Sequence, residues 1–154
     1  MIKMKEEIAM RSIFDIANWF LSKELMTHKK LQKLCFYAQA WHLALFHKRM
    51  FDAEFQAWVH GPVNYPLYQE YRRYGWTSIP MYNGDLDLTQ EEIDFLERIW
   101  ATYGEYDGHQ LEAFTHSEDP WLNARTGLNQ WQNSNNIISE ADMQNYYSNR
   151  YSGD

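Results

Sequence analysis

The chain has 154 residues, a formal net charge of −7 at neutral pH and 17% aromatic residues, among them seven Trp and eleven Tyr. This length is typical of one domain with a substantial core, and so many rings exclude a disordered chain. A duplex-binding domain usually carries a basic patch, so the negative net charge argues against direct nucleic-acid binding. The rings predict either an aromatic core or a binding surface, because Trp and Tyr anchor many protein interfaces.

Neither a secretory leader nor a membrane span is predicted. Lys3, Lys5 and Glu6 interrupt the start of the chain, where a leader needs an apolar run. No stretch approaches the roughly 18 apolar residues of a spanning helix. The single cysteine, Cys35, cannot form an internal disulfide, which fits a reducing compartment. We therefore expect a cytoplasmic protein.

The first predicted helix carries an apolar stripe at helical spacing and should end between Glu24 and Met26. The members of the stripe are Ile13, Ile16, Ala17, Phe20 and Leu21. Trp19 falls outside this stripe, so we place its ring at the surface.

The longest predicted helix runs from Thr27 to Phe46, with Thr27 as its N-cap. It is apolar on nearly all sides, which is typical of a helix covered by several neighbours. We expect it to form the centre of the core, with these side chains buried: Leu34, Cys35, Ala38 and Trp41. Three lysines are expected in its exposed first turns: Lys29, Lys30 and Lys33.

A short aromatic stretch after this helix predicts a β-hairpin at about Met50 to Val59, with its turn near Asp52 to Glu54. Gly61-Pro62 should end the hairpin, because proline cannot donate to a strand ladder. Asn64 can then cap a short helix that has Pro66 in its first turn.

The rest of the chain predicts further helices separated by polar loops. Thr89 and Glu92 form a capping box that begins a helix ending at Gly104. Three more helical segments follow, at 108–116, 120–125 and 140–149. The predicted fold class is mainly α: a single domain over 1–154, with five or six helices around the buried central helix and a small β-hairpin. Residues 126–154 are rich in Asn, Gln and Ser and are interpreted as a polar C-terminal extension.

Two histidines at the ends of elements, His60 and His116, could pair with Asp119 for acid–base chemistry. The sequence contains no zinc, Gly-rich phosphate-loop or serine-hydrolase motif, so neither a metal nor a cofactor is predicted. A hydrolase or nucleic-acid-processing enzyme that uses these three residues remains the alternative. Capping and hydrogen bonding within the fold is the interpretation we favour for His116 and Asp119.

The region from Trp58 to Tyr74 is the predicted partner-binding surface. A two-stranded hairpin leaves a free edge, and the following helix carries more tyrosines than one core face needs. The candidate residues are Trp58, His60, Pro62, Tyr65, Tyr68 and Arg72. Internal hydrogen bonding of these phenols is the competing interpretation.

Two segments resemble a known family. The run LQKLCFYAQAWHLALFHKRMFDAEFQAWVHGPVNYPLYQEYRRYG (Leu31 to Gly75) and the later FTHSEDPWLNAR (Phe114 to Arg125) are similar to the Panacea domain of SocA-like antitoxins. The order of the motifs matches that family: L-Q-K-L, A-W-x-x-G-P-V, and a Ser/Thr-His segment followed by Trp. Mild departures occur at Cys35, Phe36 and Thr115.

The resemblance implies a mostly helical antitoxin that binds and neutralises a cognate protein toxin encoded beside it, on a prophage or another mobile element. It thus implies a non-enzymatic, phage-associated protein. Some members carry an additional DNA-binding segment, for which this chain has no room. At least one relative delivers its toxin to a protease, so a protease-adaptor role is an open expectation, as is homo-oligomerisation.

Overall fold

The computed structural model describes residues 10–152. Within this range the chain forms seven α-helices, a short 3₁₀ helix and one antiparallel hairpin. The helices are α1 (Ile13–Leu21), α2 (His28–Phe46), α3 (Tyr65–Tyr71), α4 (Gln90–Tyr103), α5 (Gly108–Thr115), α6 (Asp119–Ala124) and α7 (Glu140–Ser152). The hairpin consists of β1 (Gln56–Trp58) and β2 (Gly61–Val63), and the 3₁₀ helix is Arg72–Tyr74. The mainly α fold with a small hairpin is confirmed, with seven helices instead of five or six. No helix within residues 10–152 combines the length and apolarity that crossing a bilayer requires.

The predicted central helix is confirmed as α2. The hydroxyl of Thr27 accepts a hydrogen bond from the backbone N–H of Lys30 at 3.2 Å, which caps the first turn. Leu34, Cys35 and Ala38 are completely buried. Five helices pack against α2: α1, α3, α4, α5 and α7. Its nearly continuous apolar surface is therefore explained by neighbours on several sides.

Two of the three lysines predicted at the surface of α2 are buried, so that prediction is wrong. Lys30 and Lys33 are 6% and 2% exposed. The ammonium of Lys30 donates to the carboxylate of Glu24 at 2.7 Å and to the carbonyl of Gly104 at 2.6 Å. Gly104 lies far along the chain at the end of α4, so local periodicity could not reveal this partner.

Two tryptophans also differ from the prediction. Trp41 is only half-buried, because its indole N–H reaches a hydrogen bond with the hydroxyl of Tyr103 at 2.8 Å at the edge of the core. Trp19, expected at the surface, is 3% exposed. Its ring packs edge-on against Phe20, and the ammonium of Lys23 lies 4.6 Å from its centroid. The ammonium of Lys23 thus covers one face of the Trp19 ring, although Trp19 lies outside the apolar stripe of α1.

The hairpin exists, but its predicted position is wrong. The strands pair with Ala57 opposite Pro62, and the turn consists of Val59 and His60. Gly61 and Pro62, expected to end the hairpin, instead belong to its second strand. Proline is compatible with β2 because this strand lies at the edge of the sheet.

The segment where the first strand was predicted is held by a side chain. Gln39 of α2 accepts a hydrogen bond from the backbone N–H of Met50 at 2.9 Å and donates to the carbonyl of Phe51 at 2.7 Å. These backbone groups are buried with a satisfied partner, so they do not need a strand ladder.

The C-terminal segment contributes to the core as well as to the surface. The backbone N–H of Ala57 donates to the carbonyl of Asn136, and that of Ile138 donates to Phe55, both at 2.8 Å. The helix α7 packs along α2. Three side chains of this segment are fully buried: Ile138, Met143 and Tyr147.

Candidate partner-binding site

The second strand of the hairpin is fixed by two polar side chains of α2. The amide of Gln32 donates to the carbonyl of Asn64 at 2.9 Å and accepts from its backbone N–H at 2.8 Å. The ammonium of Lys33 donates to the carbonyl of Pro62 at 3.3 Å. The side chain of Asn64 then caps α3 by accepting from the N–H of Leu67 at 3.0 Å. The hairpin and α3 are therefore oriented by the central helix.

The first strand is fixed by side chains from the other end of the chain. The indole of Trp121 donates to the carbonyl of Trp58 at 2.7 Å, and the guanidinium of Arg125 donates to that of Ala57 at 2.8 Å. The ring of His116 hydrogen-bonds to the backbone of Val59 and stacks on Trp121, with centroids 4.1 Å apart. The turn of the hairpin is thus held by His116, which in turn packs on Trp121 of α6.

Side chains of the hairpin, of α3 and of the start of the 3₁₀ helix form a group that we call the aromatic surface: Trp58, His60, Tyr65, Tyr68 and Arg72. Ring centroids lie 4.9 Å apart for Trp58 and Tyr68, and 6.1 Å apart for Tyr65 and Tyr68. Tyr65 is 44% exposed, and the guanidinium of Arg72 lies 6.0 Å from the ring of Tyr68.

The structure therefore brings five of the six predicted site residues together. The sixth, Pro62, is buried within β2, where its carbonyl binds Lys33.

The predicted free edge of the hairpin is occupied. The outer side of β1 pairs with the C-terminal segment through a bridge between Gln56 and Ile137 and through the hydrogen bond from Ala57 to Asn136. Backbone pairing with a partner strand at this edge is therefore excluded while the segment stays in place. A partner on this side of the hairpin would therefore contact side chains.

A groove lies between the aromatic surface and the polar loop that follows α6, with a volume of about 850 Å³. Trp58, His60 and Tyr65 line one side, and Trp131 and Asn135 line the other. Trp131 is 71% exposed. Trp131 is not among the site residues predicted from the sequence. A lone tryptophan within an Asn- and Gln-rich segment is the signal that could have identified it.

The two candidate catalytic histidines meet a different carboxylate from the one predicted. Glu112 Oε2 lies 3.1 Å from His60 Nδ1 and 3.8 Å from His116 Nε2, and Glu112 Oε1 lies 2.5 Å from Lys29 Nζ. Among the described residues, no hydrogen bond or ion pair joins Asp119 to either histidine. Glu112 lies on α5 and His116 is its C-cap, four residues later; this spacing places both on one helix face and could have identified the pair.

Burial and hydrogen bonding have opposite effects on the pKa of Glu112. Burial acts to raise the pKa of Glu112, but hydrogen bonds from Lys29 and His60 outweigh it and lower the pKa below its usual value. Burial lowers the pKa of His116, so its ring is neutral at physiological pH. Its Nε2 is buried without a hydrogen-bond partner in the described part of the chain. Within residues 10–152, no three His, Cys, Asp or Glu side chains are grouped to hold a metal ion.

Residues 31–122 match the family described as antitoxin SocA-like, Panacea domain. This range is more than half of the chain. The chain belongs to the SocA-like Panacea antitoxin family. Among curated proteins and among solved structures, no significant match is found.

The part of the chain that matches the Panacea family runs from α2 into α6 and contains most of the side chains that hold the hairpin. Gln32 and Lys33 come from the L-Q-K-L motif, and His116 and Trp121 come from the Thr-His…Trp motif. In this Panacea domain, the ordered motifs therefore hold one hairpin between the central helix and α5–α6.

Proposed function

We propose that this chain is the antitoxin of a toxin–antitoxin pair and neutralises a cognate toxin by direct binding, without catalysis. We further propose that it acts in the cytoplasm, is encoded on a prophage or another mobile element, and uses residues 1–154 as one domain. Membership of the antitoxin family supports the general role. The burial of Ile138, Met143 and Tyr147 against the rest of the core supports the single domain.

The observation that carries the proposal is the aromatic surface on a rigidly held hairpin. Trp58, Tyr65 and Tyr68 contact one another, and Tyr65 remains 44% exposed. Tyr, Trp and Arg are the residues that most often dominate binding energy at protein interfaces. Because Trp121 and Arg125 fix the strand beneath these rings, little conformational entropy is lost when a partner binds. Delivery of the bound toxin to a protease would require this interface first.

The arrangement of the candidate catalytic residues supports a structural role. Glu112 is already bound by Lys29 and His60, and His116 uses its ring to hold Val59. Asp119 is exposed at the start of α6. We therefore expect Asp119→Asn to leave neutralisation unchanged, whereas an acid–base mechanism that uses this carboxylate requires a large loss.

The experiment that tests the proposal is co-expression of this chain with the protein encoded by the neighbouring reading frame. Tyr65→Ala, Tyr68→Ala and Arg72→Ala are compared with Tyr151→Ala, which removes an equally exposed tyrosine from α7. We expect growth rescue and co-purification to weaken at least tenfold for the variants of the aromatic surface and to persist for Tyr151→Ala. Equal rescue by all four folded variants would place the interface elsewhere. A neighbouring protein that is not toxic, or is not bound by the wild type, would contradict the antitoxin pair itself.

A further inference from the structure

A second groove lies on the other side of Trp58 and His60, between the first turns of α2, α3 and the connection from α4 to α5. We call it the lysine groove, and its volume is about 850 Å³. The side chains that matter here are His28, Lys29, Lys33, Trp58, His60 and Tyr68. Trp58 and His60 line both grooves, so the lysine groove is continuous with the aromatic surface.

Lys33 is a buried cation with few acceptors. It is 2% exposed, and among the described residues its ammonium donates one hydrogen bond, to the carbonyl of Pro62 at 3.3 Å. An ammonium has three N–H donors, and leaving buried donors unpaired is costly. Burial lowers the pKa of Lys33 to about 7, against the opposing attraction of Glu112, and Lys29 lowers it further.

The carboxylate whose charge raises the pKa of Lys33 is that of Glu112, and Glu112 also binds other side chains. Glu112 binds Lys29 at 2.5 Å and His60 at 3.1 Å, and His116 lies 3.8 Å away. Two lysines and two histidines thus surround one carboxylate. Glu112 therefore does not supply the acceptors that the ammonium of Lys33 lacks.

A second unsatisfied polar atom lies in the same groove. His28 Nδ1 is buried without a hydrogen-bond partner among the described residues. Burial lowers the pKa of His28, and the charges of Lys33 and Lys29 lower it further. The ring of His28 packs against Tyr68, with centroids 5.9 Å apart. One end of the groove therefore combines an under-satisfied ammonium, a free imidazole nitrogen and an aromatic wall.

We propose that the lysine groove binds an acidic side chain of the partner protein, with its carboxylate at Lys33 and its apolar stem against Trp58 and Tyr68. This inference rests on the proposed function, since the occupant belongs to the protein that the aromatic surface binds. A carboxylate fits better than a phosphate, because Glu24, Glu105 and Asp107 also line the groove and would repel a second negative charge. The unpaired N–H donors of Lys33 and continuity with the aromatic surface select this occupant.

The binding should depend on pH through Lys33. Below about pH 7 its ammonium is charged and attracts the carboxylate, and above this value the amine is neutral. The titratable groups around it are His28 and Lys29 on α2, Tyr68 on α3, His60 in the hairpin turn, Glu112 on α5 and His116 at the C-cap of α5. Affinity should therefore fall about tenfold between pH 6 and pH 8 as one proton is lost.

The first test uses the full chain with isotope-labelled lysine and follows the Lys33 side chain by NMR. The probes are N-acetyl-Tyr-Glu-amide, the isosteric N-acetyl-Tyr-Gln-amide and inorganic phosphate, at matched ionic strength. We expect the glutamate peptide to shift the Lys33 signals and raise the pKa of Lys33, and the glutamine peptide to do neither. Equal shifts by both peptides, or none, would overturn the proposal. Shifts with phosphate but not with the glutamate peptide would overturn it in favour of a phosphate ligand.

The second test separates this inference from the antitoxin proposal. Lys33→Met and the exposed control Lys48→Met are co-expressed with the neighbouring protein. We expect Lys33→Met, with wild-type folding by circular dichroism, to lose at least tenfold in partner affinity. Equal affinity of both variants would overturn the proposed role of the lysine groove and leave the antitoxin proposal intact. If the wild type binds no partner, the antitoxin proposal fails, and the peptide titration still decides whether the groove takes a carboxylate.

Discussion

The hydroxyl of Tyr147 donates a hydrogen bond to Glu118 Oε1 at 2.6 Å and ties the C-terminal helix to the start of α6. Tyr37 of α2 donates to the same oxygen at 2.7 Å. Burial raises the pKa of Glu118, and the two phenol hydrogen bonds oppose that effect. One carboxylate therefore joins three helices, which explains how a polar C-terminal segment is held to an aromatic core.

Tyr147→Phe should destabilise the protein by about 1.5–3 kcal/mol, because a hydrogen bond to a charged, largely buried acceptor is lost. The loss should be greater at pH 7 than at pH 4, since the hydrogen bond favours the ionised carboxylate. Urea unfolding at both pH values measures it, with Tyr151→Phe as the exposed tyrosine control on the same helix. Equal unfolding midpoints for the two variants would contradict the role given to this contact.

Ala38→Trp should destabilise the protein by about 1–3 kcal/mol or more, because the site on α2 is completely buried and filled. Ala101→Trp introduces the same ring at an exposed position of α4 and should have little effect. Thermal unfolding compares the two variants. A wild-type melting temperature for Ala38→Trp would show that α2 is not the centre of the core.

Gly61→Ala should destabilise the hairpin more than Gly75→Ala does. Both glycines have positive φ, +107° and +56°, so both substitutions strain the backbone. At Gly61 the new Cβ would also lie 2.5 Å from Lys33 Cε, whereas at Gly75 no atom lies within 4 Å. Chemical denaturation should show an additional cost of about 1 kcal/mol or more at Gly61. The double variant Gly61→Ala/Lys33→Ala should recover part of this difference, and strict additivity would rule out the proposed clash.

Lys33→Met should stabilise the protein near neutral pH, since it removes a cation whose burial opposes folding. The folded pKa of Lys33, about 7, is lower than its unfolded value, so the wild type gains stability as pH rises above 7. The advantage of Lys33→Met should thus shrink by about 2 kcal/mol between pH 7 and pH 9. Urea unfolding across this range measures it, with Lys48→Met as control. A constant difference would show that Lys33 stays charged in the folded protein.

Local patterns predicted the helices well because each depends on neighbours in sequence. Thr27 caps α2 and Thr89 caps α4 through side chains that reach only three residues along the chain. Apolar periodicity similarly identified the buried face of α1 and the central position of α2. The hairpin was placed wrongly because its register depends on Gln32, Trp121 and Arg125, which bind its backbone from distant segments.

The sequence by itself determined the mainly helical class, the central helix and the aromatic residues from Trp58 to Tyr68, because periodicity, caps and composition are local properties. Only the tertiary structure decided that Lys33 is buried, that Glu112 rather than Asp119 meets the histidines, and that Trp131 faces the aromatic surface. The burial of a charge and the partners of a carboxylate depend on segments tens of residues apart. Their positions are fixed when the core packs, since only then does the loss of water force each polar group to find a partner.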